Sequence, residues 1–185
     1  MRTFIAVDLD EIIKNELNAF IQKLRGLPVN IRWAKSNGMH LTLKFLGEIK
    51  EEQVPDINKL LEITTAGFES FSLNIKGTGW FPPGNRIPRI LWAGCQENET
   101  IMSLQRTIEN DLEKMHFKRE KRKYHPHLTL GRVKSNKNIN KVIDELIRQK
   151  DKDFGSMEVA KVTFFQSILK PTGAEYKTLS EHNLK

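Results

Sequence analysis

Cysteine is almost missing: Cys95 is the single one in 185 residues. An internal disulfide is therefore excluded, and a reducing compartment is the expected setting. Its neighbours Leu91, Trp92 and Ala93 read as a buried strand end and not as the surroundings of a nucleophile. Long apolar runs are missing too. Phe4-Ile5-Ala6-Val7 gives way at once to Asp8 and Asp10, and no stretch is long enough to cross a bilayer, so a cytoplasmic protein is expected. No Pro/Gly/Ser-rich tract separates one part from another, so residues 1–185 read as a single domain with 38% hydrophobic residues to build its core. Acidic residues are the scarcer charge, 23 against 30 Lys and Arg, giving a formal charge of +7 that favours a polyanionic partner. Much of the excess lies in Lys118-Arg119-Glu120-Lys121-Arg122-Lys123, which reads equally as a solvated loop or as a phosphate-steering patch.

What the chain does have is a repeat. His40-Leu41-Thr42-Leu43 returns as His127-Leu128-Thr129-Leu130, an offset of 127 − 40 = 87 residues. The same offset carries Phe4-Ile5-Ala6-Val7 onto Leu91-Trp92-Ala93-Gly94. It also carries the helical spacing of Ile12, Ile13, Leu17, Phe20, Ile21 and Leu24 onto that of Ile101, Leu104, Ile108, Leu112 and Met115. A third helix is expected from Glu51-Glu52 through Leu61, with its counterpart over Ile139, Val142, Ile143, Leu146 and Ile147 after Asn136. Phe71, Leu73 and Ile75 alternate as a half-buried strand does, and Met157 to Phe165 supplies the matching β-rich run. The expected fold is α/β (α+β), with two pseudo-symmetric lobes, each an antiparallel-rich sheet with flanking helices, around a central cleft. The duplicated halves span roughly 1–80 and 88–166. A C-terminal hairpin occupies 164–181 around Lys170-Pro171-Thr172-Gly173, and residues 80–88 form an irregular linker.

In a strand, His40 and Thr42 share one face and Leu41, Leu43 and Phe45 the other, which is the core face; His127 and Thr129 repeat the arrangement. A two-fold relation between the halves would bring both imidazoles and both hydroxyls to one point. Two facing histidines suit hydrolysis of a phosphodiester, one taking a proton from water while the other gives one to the departing oxygen. The threonine hydroxyls would hold the non-bridging phosphate oxygens. No metal and no cofactor is called for. His125 alone beside His127 falls short of the three or four ligands a zinc site needs.

The motifs His40-Leu41-Thr42-Leu43-Lys44-Phe45-Leu46-Gly47 and His125-Pro126-His127-Leu128-Thr129-Leu130-Gly131-Arg132 resemble those of the two-histidine (2H) phosphoesterases. With Arg2-Thr3-Phe4-Ile5-Ala6-Val7-Asp8-Leu9, Pro88-Arg89-Ile90-Leu91-Trp92-Ala93-Gly94 and Phe165-Gln166-Ser167, the chain is similar to their RNA 2',3'-cyclic phosphodiesterase branch, historically called 2'-5' RNA ligases. That resemblance implies a metal-independent enzyme hydrolysing an RNA-terminal 2',3'-cyclic phosphodiester to a 2'-phosphomonoester. His40 would be the proton donor, His127 the proton acceptor, and Arg132 a phosphate contact beside Thr42 and Thr129. Strict alternation puts Arg132 on the wrong face, so that contact requires a bulge near Gly131. The expected partner is RNA with a 2',3'-cyclic phosphate end, including tRNA fragments or small cyclic nucleotides, met by a monomer. The competing readings are 2'-5' RNA ligation through the same site run backwards, and a non-catalytic basic RNA-binding module.

Other residues carry lesser expectations. Lys44, on the His40 face by alternation, would meet phosphate or end in solvent. Trp92 would pack in the core, while Trp80 and Phe81 would be exposed enough to stack on a base. His116 and His182 read as structural or solvated, and Gly47 and Gly131 as strand-end bends.

Overall fold

The computed structural model describes residues 1–84, 86–171 and 173–185. Its elements run β1 (Arg2–Asp8), α1 (Glu11–Arg25), β2 (Ile31–Trp33), β3 (His40–Glu48), α2 (Val54–Thr65), β4 (Phe71–Phe81), β5 (Ile90–Cys95), α3 (Glu99–Lys114), β6 (His127–Val133), α4 (Ile139–Arg148), β7 (Asp153–Val159), β8 (Lys161–Lys170) and β9 (Gly173–Asn183). The α/β class and the antiparallel pairing expected from the sequence are both present.

The helices start where side chains can cap them. Asp10 Oδ1 accepts from Ile13 N at 2.8 Å, and Asn98 Oδ1 accepts from Ile101 N at 3.0 Å, each satisfying a first-turn donor. Ile13, Leu17, Ile21 and Leu24 of α1 and Ile101, Leu104, Ile108 and Leu112 of α3 are all fully buried. Ile12 and Ile147, counted in the apolar stripes by spacing, instead face solvent.

All the strands join one curled antiparallel sheet in the order β7-β4-β5-β6-β3-β1-β8-β9, with β2 added on β6. The centre of that order is the β6–β3 seam, where Leu41 pairs with Leu128. On either side the order repeats: β3-β1-β8 and β6-β5-β4 are related by the 87-residue offset. The linear repeat did not reveal one feature of this arrangement, because β4 and β8 cross over and each pairs beside strands of the other half. The helices cross over likewise. α2 packs on α3, β8 and β9, while α4 packs on β4 and α1 on β7. Lys23 Nζ of α1 reaches Glu145 Oε1 of α4 at 2.8 Å.

The helices cover one face of the sheet, burying Ile5, Val7, Leu41, Leu43, Leu91, Ala93, Leu128 and Leu130 in the main core. Each fully buried Leu or Ile contributes about 1.5–3 kcal/mol. The other face carries a second, small cluster of Phe4, Ala6 and Phe165. β1 is therefore buried on both sides, which explains its unbroken apolar run.

Three boundaries differ from the sequence reading. Trp80 and Phe81 belong to β4 and not to an irregular linker, because both pair with β5, Trp80 with Leu91 and Phe81 with Ile90. The run from Met157 to Phe165 is two strands, β7 and β8. The terminal hairpin begins at Lys161 and ends at Asn183. In the linker and the hairpin turn, Asn85 and Thr172 lie outside the described residues.

Candidate active site

The seam decides where the two motifs meet. Leu41 is opposite Leu128; extended one residue either way, antiparallel register sets His40 across from Thr129 and Thr42 across from His127. Leu41 and Leu128 point into the core, so all four polar side chains share the uncovered face. Same-face diagonal neighbours such as His40 and His127 stand about 7–8 Å apart at their origins, a gap that a phosphate fits. The face opens into one cleft of about 1710 Å³ lined by His40, Thr42, His127, Thr129 and Arg132.

Both rings are oriented alike. His40 Nδ1 lies 2.9 Å from the Gly38 carbonyl and His127 Nδ1 lies 2.7 Å from the His125 carbonyl. A carbonyl can only accept, so each Nδ1 carries the hydrogen and each Nε2 is the nitrogen free to exchange a proton.

A matching bulge interrupts each motif strand. Ile5 pairs with Lys44 and Ala6 with Thr42, skipping Leu43; Leu91 pairs with Gly131 and Trp92 with Thr129, skipping Leu130. The skipped positions are themselves one offset apart. Each extra residue reverses the alternation beyond it, so Arg132 and Phe45 reach the cleft face. The bulge expected near Gly131 is thus present and turns Arg132 toward the cleft. Lys44 goes the other way: alternation placed it with His40, but the bulge turns it inward, where it is buried as an ion pair with Glu109. Gly131 is no strand-end bend. A Cβ there would sit 2.7 Å from Ile31 Cγ2, so β2 lies against β6 only because the side chain is missing. Gly47, at φ +77°, does mark a bend.

The surroundings of the two histidines differ. Phe4 lies tilted against His40 at 4.6 Å, and Tyr176 meets it edge-on at 5.0 Å. Burial among these rings pushes the imidazole down to about 4, against the opposing pull of the Gly38 carbonyl and of Asp8. Asp8 pairs with His40 across β1 and β3 and is held by Lys14 at 3.2 Å. His127 meets Phe81 edge-on at 5.0 Å. Burial lowers it as well; its bond to the His125 carbonyl opposes that shift, while the nearby His125 ring and Arg132 guanidinium add to it. Cys95 is pushed up to about 12 by burial and holds no thiolate.

Asp8 and Tyr176 were not marked by the sequence, and Phe45, which alternation put on the core face with Leu41 and Leu43, is instead turned out to the cleft by the bulge. Phe45 stands at the position equivalent to Arg132 and is 62% exposed, an aromatic ring where the other half has a guanidinium. Trp92 lies on the cleft face and not in the core, since Leu91 and Ala93 on either side of it point inward. Its indole covers Gly79 and Gly94 and touches Phe81 at 5.5 Å and His125 at 5.0 Å. Trp80 packs half-buried against the core, so of the two rings expected beside a base only Phe81 lines the cleft. His182 is tied into β9, its Nε2 2.9 Å from Ser180 Oγ, and His116 lies exposed just past α3. Among the described residues no three His, Cys, Asp or Glu side chains converge as metal ligands would, and no helix is long and apolar enough to cross a membrane.

Known proteins share this fold and much of this sequence. Residues 14–168 match the family model described as the 2'-5' RNA ligase superfamily. A protein of Methanothermobacter thermautotrophicus named RNA 2',3'-cyclic phosphodiesterase is 34% identical over all of this chain and 99% of its own. One of the same name from Thermotoga maritima is 38% identical over 98% of this chain and 94% of its own. A solved structure from Thermus thermophilus superposes with a TM-score of 0.85 at 28% identity, covering 100% of this chain and 98% of that one. A match of this extent in sequence and in fold makes the chain a member of the 2'-5' RNA ligase superfamily.

Proposed function

We propose that the chain hydrolyses the 2',3'-cyclic phosphodiester at an RNA end, leaving a 2'-phosphomonoester. His127 Nε2 takes a proton from water as the water oxygen attacks phosphorus. The bond from phosphorus to the 3'-oxygen breaks, and that oxygen takes a proton from His40 Nε2. The hydroxyls of Thr42 and Thr129 and the guanidinium of Arg132 hold the non-bridging oxygens while their charge grows. Solvent then returns both histidines to their starting states.

The observation that carries this reading is the paired presentation of the two Nε2 atoms on one face of the β3–β6 seam. The division of labour rests on their neighbours. Burial is the larger influence on both rings and lowers His40 strongly. Among the smaller ones, the Asp8 carboxylate pulls His40 toward the charged form a donor must take, whereas His125 and Arg132 push His127 toward the neutral form an acceptor must take. Burial keeps both rings neutral in the empty cleft, and the anionic phosphate supplies the field that lets His40 carry its proton. Phe45 breaks the symmetry further by offering a ring on which a nucleobase can stack. The relatives named RNA 2',3'-cyclic phosphodiesterase support the substrate class.

The test is direct. An oligoribonucleotide ending in 2',3'-cyclic phosphate is incubated with the protein in EDTA, and the product end is identified. Formation of a 2'-phosphate, abolished by His40→Ala and by His127→Ala, is expected. Full activity in either variant, or dependence on added metal, contradicts the proposal.

A further inference from the structure

We infer that the connection between α3 and β6 is a fixed basic rim, in which Lys121, Arg122 and Lys123 grip the nucleotides preceding the reactive end of an RNA strand. This deepens the reading of the cleft as an RNA phosphodiesterase site and rests on it.

The connection is fastened at both ends by groups that a merely solvated loop does not need. At its start, Lys44 Nζ donates to the Lys118 carbonyl at 2.7 Å, and Glu109 Oε1 accepts from Glu120 N at 2.8 Å. Lys44 and Glu109 pair with each other, their side chains only 5% and 6% exposed. Gln105 Nε2 secures Glu109 Oε2 at 3.3 Å and reaches the Leu43 carbonyl at 3.4 Å. At its end, the Tyr124 hydroxyl donates to the Thr42 carbonyl at 3.0 Å. Both fastenings land on β3, the strand that carries His40 and Thr42.

Burying an ion pair is costly, and an apolar pair of similar volume stabilises a fold as well or better, so such a pair is best understood by what it positions. Here it positions a charged segment. Residues 118–123 are all exposed and line the same cleft as the two histidines. Arg119 is engaged by Glu113 at 2.8 Å, and Glu120 Oε1 accepts from Arg122 N. Among the described residues, Lys121, Arg122 and Lys123 make no ion pair. Three cations outside any ion pair, held over a cleft of about 1710 Å³, suit successive phosphates of a single strand.

The experiment uses two substrates. Binding of a single-stranded oligoribonucleotide with a 2',3'-cyclic end is followed by fluorescence anisotropy across a salt series, on full-length protein carrying His127→Ala so that nothing turns over. Hydrolysis of a 2',3'-cyclic mononucleotide, which ends before the rim, is measured with His127 intact. Adding Lys121→Ala, Arg122→Ala and Lys123→Ala together should weaken oligonucleotide binding about tenfold or more. It should also lower the slope of log affinity against log salt by about 2, roughly 0.7 for each lost phosphate contact. Mononucleotide turnover should stay within about twofold of its starting value. An unchanged salt slope overturns the inference. Absence of hydrolysis by the unaltered protein on either substrate would instead sink the phosphodiesterase reading, and the binding slope would still decide whether the rim holds RNA.

Discussion

The His40 strand and the His127 strand have the same backbone and different company. Each begins with a ring tied through Nδ1 to a carbonyl two residues upstream, each alternates into the core through leucine, and each bulges at its fourth residue. Beyond the bulge they part. The first strand turns Lys44 into the core and Phe45 out to the cleft, where the second has Gly131 and Arg132. Asp8 attends His40, while Arg132 and His125 attend His127. In the proposed reaction, the repeated motif supplies a symmetric cradle for a phosphate. Hydrolysis needs one donor and one acceptor, and only the residues that break the repeat distinguish them.

Removing either ring should have the largest effect. His40→Ala and His127→Ala are each expected to lower kcat on a cyclic-ended oligonucleotide about 10²–10⁴-fold, and a loss below about tenfold in either would show that the two strands are not partners. Arg132→Ala should come next, at about 10²-fold in kcat/KM, with Arg132→Lys recovering part of it because a point charge lacks the guanidinium fork. Phe45→Ala, at the matching position, should raise KM and leave kcat near its starting value. Equal effects on kcat at both positions would contradict the difference assigned to them. Thr42→Val and Thr129→Val should cost similar amounts, about tenfold each, since each removes one hydrogen bond to a charged group.

Acid stability offers a subtler test. His40 sits at about 4 in the folded protein against 6.5 for a free imidazole, so between those values the unfolded chain binds the additional proton. Stability is therefore complete above 6.5 and falls as pH drops toward 4, by on the order of 3 kcal/mol from this residue. Burial of His127 adds to the fall in the same direction. Urea unfolding across this range should show the decline, and His40→Gln should flatten it; an unaltered slope would place the titrating group elsewhere. Gly131→Ala should destabilise by about 1–3 kcal/mol through its clash with Ile31, an effect readable as a lower Tm.

Much of this was legible in the residues. Helical spacing and two short motifs at one offset sufficed for α1 to α4 and for placing His40 with His127, because amphipathic periods and strand alternation are local. The bulges were not legible. They arise where a neighbouring strand pairs past one residue, so the inward turn of Lys44 and the cleft face of Trp92 depend on β1 and β5 and not on their own strands. The bulge at Leu130 could be inferred only because Arg132 needed one. The crossing of β4 and β8 was hidden for the same reason, since the offset relates elements without saying which side of the seam each joins.

The leaving group separates the two histidines most directly. A phosphodiester whose leaving oxygen belongs to an acidic phenol departs without a proton, whereas the ribose 3'-oxygen requires one. If His40 donates and His127 accepts, the defect of His40→Ala shrinks to within about tenfold on the aryl substrate while that of His127→Ala persists. Rescue of His127→Ala with none for His40→Ala, or equal rescue of both, would contradict the assignment built on Asp8 and Arg132.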